Sequence, residues 1–128
     1  MSRVRPPTPV ARKAYRQTSY AIGPVILRIG VRPICWPFEA QPFVLIGACN
    51  PSGLRLSDTQ NARRMQHPRA RLGTARVLNG EGRWRGWSEP FFAAALPMAK
   101  ARVLARIFGQ NALVHVSPGR PLRLVWLA

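Results

Sequence analysis

The apolar positions of this chain change period several times, and each change marks an element. From Thr18 to Ile22 (TSYAI) apolar and polar residues alternate, which favours β structure; Gly23-Pro24 interrupts, and VILRIGV resumes with β-branched residues up to Val31. The segment reads strand, turn, strand. Residues 33–42 (PICWPFEAQP) contain Pro33, Pro37 and Pro42 and predict a loop that packs Trp36 and Phe38 over a core edge. Phe43 to Cys49 (FVLIGAC) is the most apolar run, as expected of a central strand buried on both faces.

The period then changes to that of a helix. Asn50-Pro51-Ser52-Gly53 is turn material, and Ser57-Asp58-Thr59-Gln60 spells a capping box with Ser57 at the N-cap and Gln60 at N3. Asp58 at N1 suits the positive end of the helix dipole. Ala62, Met65 and Leu72 fall near one face, with Arg63, Arg64 and Arg71 directed elsewhere. Pro68 removes one intrahelical bond, so the helix is expected to kink there or to end at Gln66, with Gly73 as the final stop.

Residues 74–88 read as an irregular hairpin or ordered loop around Asn79-Gly80-Glu81-Gly82, and Pro90 to Leu96 (PFFAAAL) as another apolar strand, with helix an alternative because of its alanines. Pro97 is placed to open a second helix whose core stripe is Ala101, Leu104, Ala105 and Phe108, stopped at Gly109. ALVHV and LRLVWL flank Ser117-Pro118-Gly119-Arg120-Pro121 as a closing hairpin. The order β-β-β-α-β-β-α-β-β, give or take one strand, argues an α+β single domain. It would have a largely antiparallel sheet of about six strands and two main helices. Residues 1–13, proline-rich and basic without apolar period, read as a flexible basic N-terminal arm, leaving residues 14–128 as the domain.

Charge narrows the choice of partner. Lys+Arg number 20 against 4 Asp+Glu, a formal net charge of +16, and all the basic residues except Lys13 and Lys100 are arginine. Such an excess attracts polyanions, so RNA or DNA is the first expectation, through phosphate neutralisation that needs no sequence code. The opposing reading is compositional: a GC-rich coding sequence replaces Lys with Arg, although it does not account for the scarcity of acids. An acidic protein is a further possible partner. No apolar run reaches the roughly 18 residues of a membrane span, and no apolar stretch follows the basic N-terminus as a secretory signal requires. Cys35 and Cys49 are too few for a disulfide framework and have no zinc spacing with His67 or His115. The expectation is a cytoplasmic protein without metal or cofactor, of undetermined oligomeric state.

Two sets of residues are candidates for binding. Arg83-Trp84-Arg85 could place guanidiniums on phosphates and an indole on an unpaired base, and Arg63, Arg64, Arg69 and Arg71 form a second basic cluster on or after the first predicted helix. A lid over the core for Trp84 and a solvated helix face for the arginines are the plainer alternatives. No helix-turn-helix or RNA-recognition signature organises these patches, so low-specificity binding is the form expected. The other set is Asn50, Asn61, Glu89 and Gln110, polar groups at element ends where a small polar ligand could be held. Local capping and pairing with arginine are their alternatives. Catalysis is harder to build: four acids scarcely support two-metal chemistry, and P-loop, G-x-S-x-G and H-E-x-x-H motifs are absent. A Cys49–His115 pair would need an orienting group, and both residues fall on predicted apolar strands.

Five pieces in order, A-Y-R-Q-T-S-Y, FVLIGACNP, L-S-D-T-Q-N, W-S-E-P and F-G-Q-N-A, resemble a bacterial family catalogued as domain of unknown function 3293. The resemblance runs from about Ala14 to the C-terminus and rests on Tyr15, Thr18, Tyr20, Asn50, Pro51, Ser57, Asn61, Trp87, Glu89, Pro90, Gly109 and Gln110. It implies a small cytoplasmic α+β domain and implies no activity. Pro68 and the extreme basicity depart from the family pattern.

Overall fold

The computed structural model describes residues 8–33, 41–47, 57–73 and 75–127. The expectations placed on Cys35, Trp36, Phe38, Cys49, Asn50 and Pro51 lie outside the described residues, as does the first part of the expected arm. Helix α1 (Pro9–Gln17) is followed by β1 (Ser19–Ile22), β2 (Val25–Leu27), β3 (Phe43–Ile46), α2 (Asp58–Arg71), β4 (Val77–Trp84), β5 (Trp87–Ala94), α3 (Met98–Ile107), β6 (Ala112–Val116) and β7 (Arg123–Trp126). The fold is α+β. Among the described residues it has seven strands, as in the order read from the sequence and one more than the sheet of about six, and three helices where two main ones were expected.

All the strands join one sheet in the order β2-β1-β4-β5-β3-β6-β7, and every pairing between them is antiparallel. The two edges of that order approach each other beyond their strands. Ile29 and Leu122 form a parallel bridge, with Gly30 N–H donating to the Leu122 carbonyl at 2.9 Å and Leu122 N–H to the Val31 carbonyl at 3.2 Å. The sheet is therefore curled, with an inner and an outer face.

Strand alternation divides the apolar residues between those faces. On β3, Val44 and Ile46 face the outer core with Leu104, Phe108 and Leu113, while Phe43 and Leu45 face the inner core with Tyr20, Phe91 and Val116. All four β3 residues are buried, as expected of a doubly covered strand. Met65 of α2, Leu72 at its C-cap, and Ala101, Leu104 and Ala105 of α3 close the outer face. The expected stripe on α3 is the one buried.

The first helix was hidden by composition. Pro9 takes the N1 position, where a missing N–H costs nothing, and the Thr8 side chain accepts from Ala11 N–H at 3.1 Å. The arm expected over residues 1–13 thus gives way to helix from Pro9. Nine residues form a marginal helix in water, so packing carries this one. Tyr15 meets Trp126 edge-on with centroids 5.5 Å apart, and the Arg12 guanidinium lies 4.9 Å from the same ring. Tyr20 O–H donates to the Tyr15 carbonyl at 3.1 Å, and Trp84 Nε1–H to Gln17 Oε1 at 3.2 Å.

The second helix keeps its predicted start and overruns its predicted end. Both halves of the capping box form: Gln60 N–H donates to Ser57 Oγ at 3.1 Å and Ser57 N–H to Gln60 Oε1 at 3.0 Å. The helix then runs through Pro68 to Arg71 instead of ending at Gln66. Pro68 is fully buried, so ring burial offsets the lost backbone bond.

The stretch expected to be irregular is a regular hairpin in register from Val77↔Ala94 to Trp84↔Trp87. Its two-residue turn has positive φ at both Arg85 (49°) and Gly86 (74°), as a type I′ turn requires. Pro90 fits within β5 because β3 ends at Ile46, opposite Phe92, leaving β5 one strand neighbour beyond that point among the described residues. Among the described residues no helix is long and apolar enough to cross a membrane.

Gly80 is where the inner core presses closest on the backbone. A Cβ there would enter the Phe91 ring and lie 2.8 Å from the Ala21 carbonyl oxygen, which belongs to a paired strand and cannot swing away. At Gly82 the nearest atom is the Thr18 methyl, at 3.3 Å. Gly80→Ala is expected to lower unfolding free energy by about 1–3 kcal/mol, the range for overpacking, and Gly82→Ala by less. Urea denaturation of the two variants checks the order.

Candidate functional site

Curling leaves the inner face wider than its side chains fill at the end beneath α1. Gly47 and Gly82 contribute no side chain there and Ala112 only a methyl, so a cavity of about 390 Å³ remains between helix and sheet. Ala11, Ala14 and Tyr15 of α1 form its roof, with Tyr20, Leu45 and Phe91 among the sheet residues opposite. The polar wall comes from β5 and from the segment between α3 and β6. Glu89 stands two residues before Phe91 and shares its inward face, while Gln110 and Asn111 follow the end of α3.

Asn111 is the most informative of these. It is 2% exposed, and its Oδ1 has no hydrogen-bond partner among the described residues. A buried amide oxygen left unpaired costs on the order of 1–3 kcal/mol, which native chains rarely leave without a reason. Its backbone, by contrast, is used: the carbonyl accepts from Leu127 N–H at 2.9 Å.

Burial and the charge of Glu89 both act on the tyrosine hydroxyls beside the cavity. Desolvation, then the negative charge of Glu89, pushes the Tyr15 hydroxyl up to about 12, against the opposing pull of the Ala112 and Asn111 backbone amides. The Tyr20 hydroxyl is pushed up too, first by desolvation, then by Tyr15, with a smaller contribution from Glu89. Both stay neutral at ordinary pH.

A family model described as a protein of unknown function (DUF3293) matches residues 46–113 of the chain. The chain belongs to this family. Nothing among curated proteins or solved structures matches it. The DUF3293 match spans Gly82, Trp84, Glu89, Gln110 and Asn111 of the cavity wall and leaves α1, with Tyr15, outside it.

Of the candidate polar site, the fold brings Glu89 and Gln110 to one cavity. It does not bring Asn61, which sits in the second turn of α2; that helix packs through Met65 and Leu72 on the opposite face. Asn50 lies outside the described residues. Asn111 and the roof residues Ala11, Ala14 and Tyr15 were not read as site residues, although F-G-Q-N-A contained Asn111 and A-Y-R-Q-T-S-Y contained Ala14 and Tyr15. The available signal was a second amide beside Gln110, just past a helix stop.

The arginine candidates divide between two places. Arg63 and Arg71 are exposed on α2, Arg69 lies 5.9 Å from the Phe92 ring, and Arg64 Nη2 donates to the Phe108 carbonyl at 2.6 Å. Arg64 therefore closes the C-terminal end of α3, a structural use. Arg83 pairs at 3.4 Å with Glu81 at the surface, and the Arg85 guanidinium lies 4.8 Å from the Trp84 ring. Phe92 is five residues from the hairpin turn at Trp87, about 16 Å along the strand, so the two groups do not form one compact patch. Trp84 lines the cavity and its indole N–H is bonded to Gln17. His115 is lowered, by desolvation first and then by Arg123; its suggested partner Cys49 lies outside the described residues.

The tyrosine shifts have a measurable sign. A hydroxyl whose folded value lies above its unfolded value of 10.0 holds its proton better in the native state. Its stabilisation is intact below about pH 10 and is lost as pH rises toward 12. Tyr15→Phe is expected to flatten that loss in urea unfolding at pH 9, 10 and 11, with the remainder assigned to Tyr20. An unchanged slope would show that Tyr15 does not carry it.

Proposed function

We propose that this protein binds a small organic ligand in the cavity beneath α1. One observation carries the reading: the space between α1 and the inner face of the sheet is lined by aromatic rings, with Glu89, Gln110 and Asn111 set among them. The volume of about 390 Å³ falls within the range of small-molecule sites, roughly 300–1,000 Å³, and the mixture of a mostly apolar lining with few polar groups is typical of them. Helix α1 serves as the roof, held by Trp84, Tyr20 and Trp126.

The test fills the cavity from its roof, where no residue of α1 is fully buried and folding is least at risk. Naphthalene, neutral and without a head group, is the probe. Saturation-transfer NMR is expected to show it on the unmodified protein and to lose the signal in Ala14→Phe at equal thermal stability. Equal transfer to both proteins would overturn the reading.

A second reading, low-specificity binding of RNA or DNA, is favoured by the net charge of +16 and by the exposed Arg85 guanidinium at the hairpin tip. Arg63, Arg69, Arg71 and Arg83 would add phosphate contacts, with Arg64 reserved for α3. Labelled single- and double-stranded oligonucleotides titrated across salt measure it by anisotropy. Arg83→Ala with Arg85→Ala should weaken binding and flatten its logarithmic salt dependence by about one to two released counterions. An unchanged slope would sink these contacts.

A further inference from the structure

We propose that the seam where the two sheet edges meet is a docking surface for the phosphate backbone of a nucleic-acid duplex, contacted by Arg28, Arg32, Arg120 and Arg123. The proposal rests on the second reading, nucleic-acid binding, and adds a surface that neither the hairpin tip nor α2 supplies.

The four arginines come from segments near opposite ends of the chain and are gathered by the closure of the sheet. After β2 the chain turns at residues 28–31, where Val31 N–H donates to the Arg28 carbonyl at 3.2 Å. Before β7 it turns at residues 117–120, where Arg120 N–H donates to the Ser117 carbonyl at 3.2 Å. The parallel bridge of Ile29 with Leu122 brings the two segments side by side. Leu27, Ile29, Leu122 and Leu124 pack on the inner core, so Arg28 and Arg123, each between two of them, face outward. From strand rise and spacing their Cα atoms lie roughly 8 Å apart. Arg32 follows Val31, whose carbonyl accepts from Leu122 N–H, and Arg120 shortly precedes Leu122 on the other segment.

All four are exposed, and among the described residues none of them makes an ion pair or a side-chain hydrogen bond. The described acids stand elsewhere: Asp58 opens α2, Glu81 pairs with Arg83, and Glu89 lines the cavity. The positive field reaches His115, opposite Arg123 on β6, which is lowered first by desolvation and then by that guanidinium. A cluster of one sign with no use inside the molecule is complemented by an anion that brings several charges in a row. The cluster also continues toward the hairpin. Ser19 of β1 has Arg83 of β4 on one side, and Arg28, next after the Leu27 that pairs with Tyr20, on the other. Two strand spacings, about 10 Å, separate Arg28 from Arg83. Residues 28–32 and 117–123 include no aromatic side chain. The seam therefore has no platform on which an unpaired base could stack, and it recognises charge, which is densest on a duplex. Val31 is its one exposed large apolar side chain, too little to seat in a lipid surface.

The test titrates a labelled duplex and a single strand of equal length across salt by anisotropy, on nuclease-treated protein. Arg28→Ala with Arg123→Ala is compared with Lys100→Ala with Arg106→Ala, which removes the same charge from α3. The seam pair is expected to weaken duplex binding about tenfold at about 150 mM salt and to lower the logarithmic salt slope by about two. The α3 pair should leave the slope unchanged, because a charge outside the contact releases no counterion. Arg28→Lys with Arg123→Lys should keep the slope, and every variant the melting temperature, since no bond within the protein is lost. Equal loss in the two alanine pairs, or an unchanged slope in the seam pair, overturns the seam and leaves the second reading standing. A loss confined to the single strand does the same. So does a seam pair that loses binding to anionic phospholipid vesicles while its duplex binding is untouched, which would give these arginines to a membrane. Failure of the unmodified protein to bind either oligonucleotide overturns both.

Discussion

The structure depends on the curl of its sheet. Seven antiparallel strands in the order β2-β1-β4-β5-β3-β6-β7 would leave two open edges, and an open edge is a row of unpaired backbone groups. The bridge between Ile29 and Leu122 satisfies part of each edge with the other and draws the two ends of the sheet together. An inner face follows, narrow enough to bury Phe43 and Leu27 and, toward the other end, too wide to be filled. That unfilled end becomes the cavity, and a short helix becomes its roof.

The same geometry assigns the small residues their work. Gly80 lets the Phe91 ring lie against β4, which packs the inner core solidly at that level. Two residues further along the same face, Gly82 meets the Thr18 methyl at 3.3 Å and the edge of the Tyr20 ring at 3.9 Å, and with Gly47 and Ala112 it lines the cavity without a bulky side chain of its own. Polar groups then collect around the space, because β5 carries Glu89 inward in phase with Phe91 and the stop after α3 delivers Gln110 and Asn111. Among the described residues the cavity wall holds no lysine or arginine, while Arg63 and Arg85 reach water and Arg64 bonds a helix end.

Two possible partners therefore belong to different parts of the molecule. Polyanions would meet the hairpin tip and the outer helix α2; a small organic ligand would lie beneath α1. Trp84 belongs to both regions, with Arg85 against its ring outside and the cavity beside it.

What the chain determines locally was legible in it. The capping box at Ser57, the apolar stripe of α3 and the doubly buried run at β3 each depend on neighbours a few residues away, so period and capping chemistry suffice. Glu89 and Gln110 were legible as candidates because element ends display polar groups. Tertiary structure alone decided the rest. Helix α1 is too short to stand by propensity and exists through contacts with Tyr20, Trp84 and Trp126, the last more than 100 residues away. Pro68 remains helical because its ring is buried. Asn61 parts from Glu89 because α2 crosses the outer face, and Asn111 gains its meaning only from an unfilled space between sheet and roof. Such features arise from packing between distant segments, and no local pattern of residues encodes where a curled sheet will fail to fill itself.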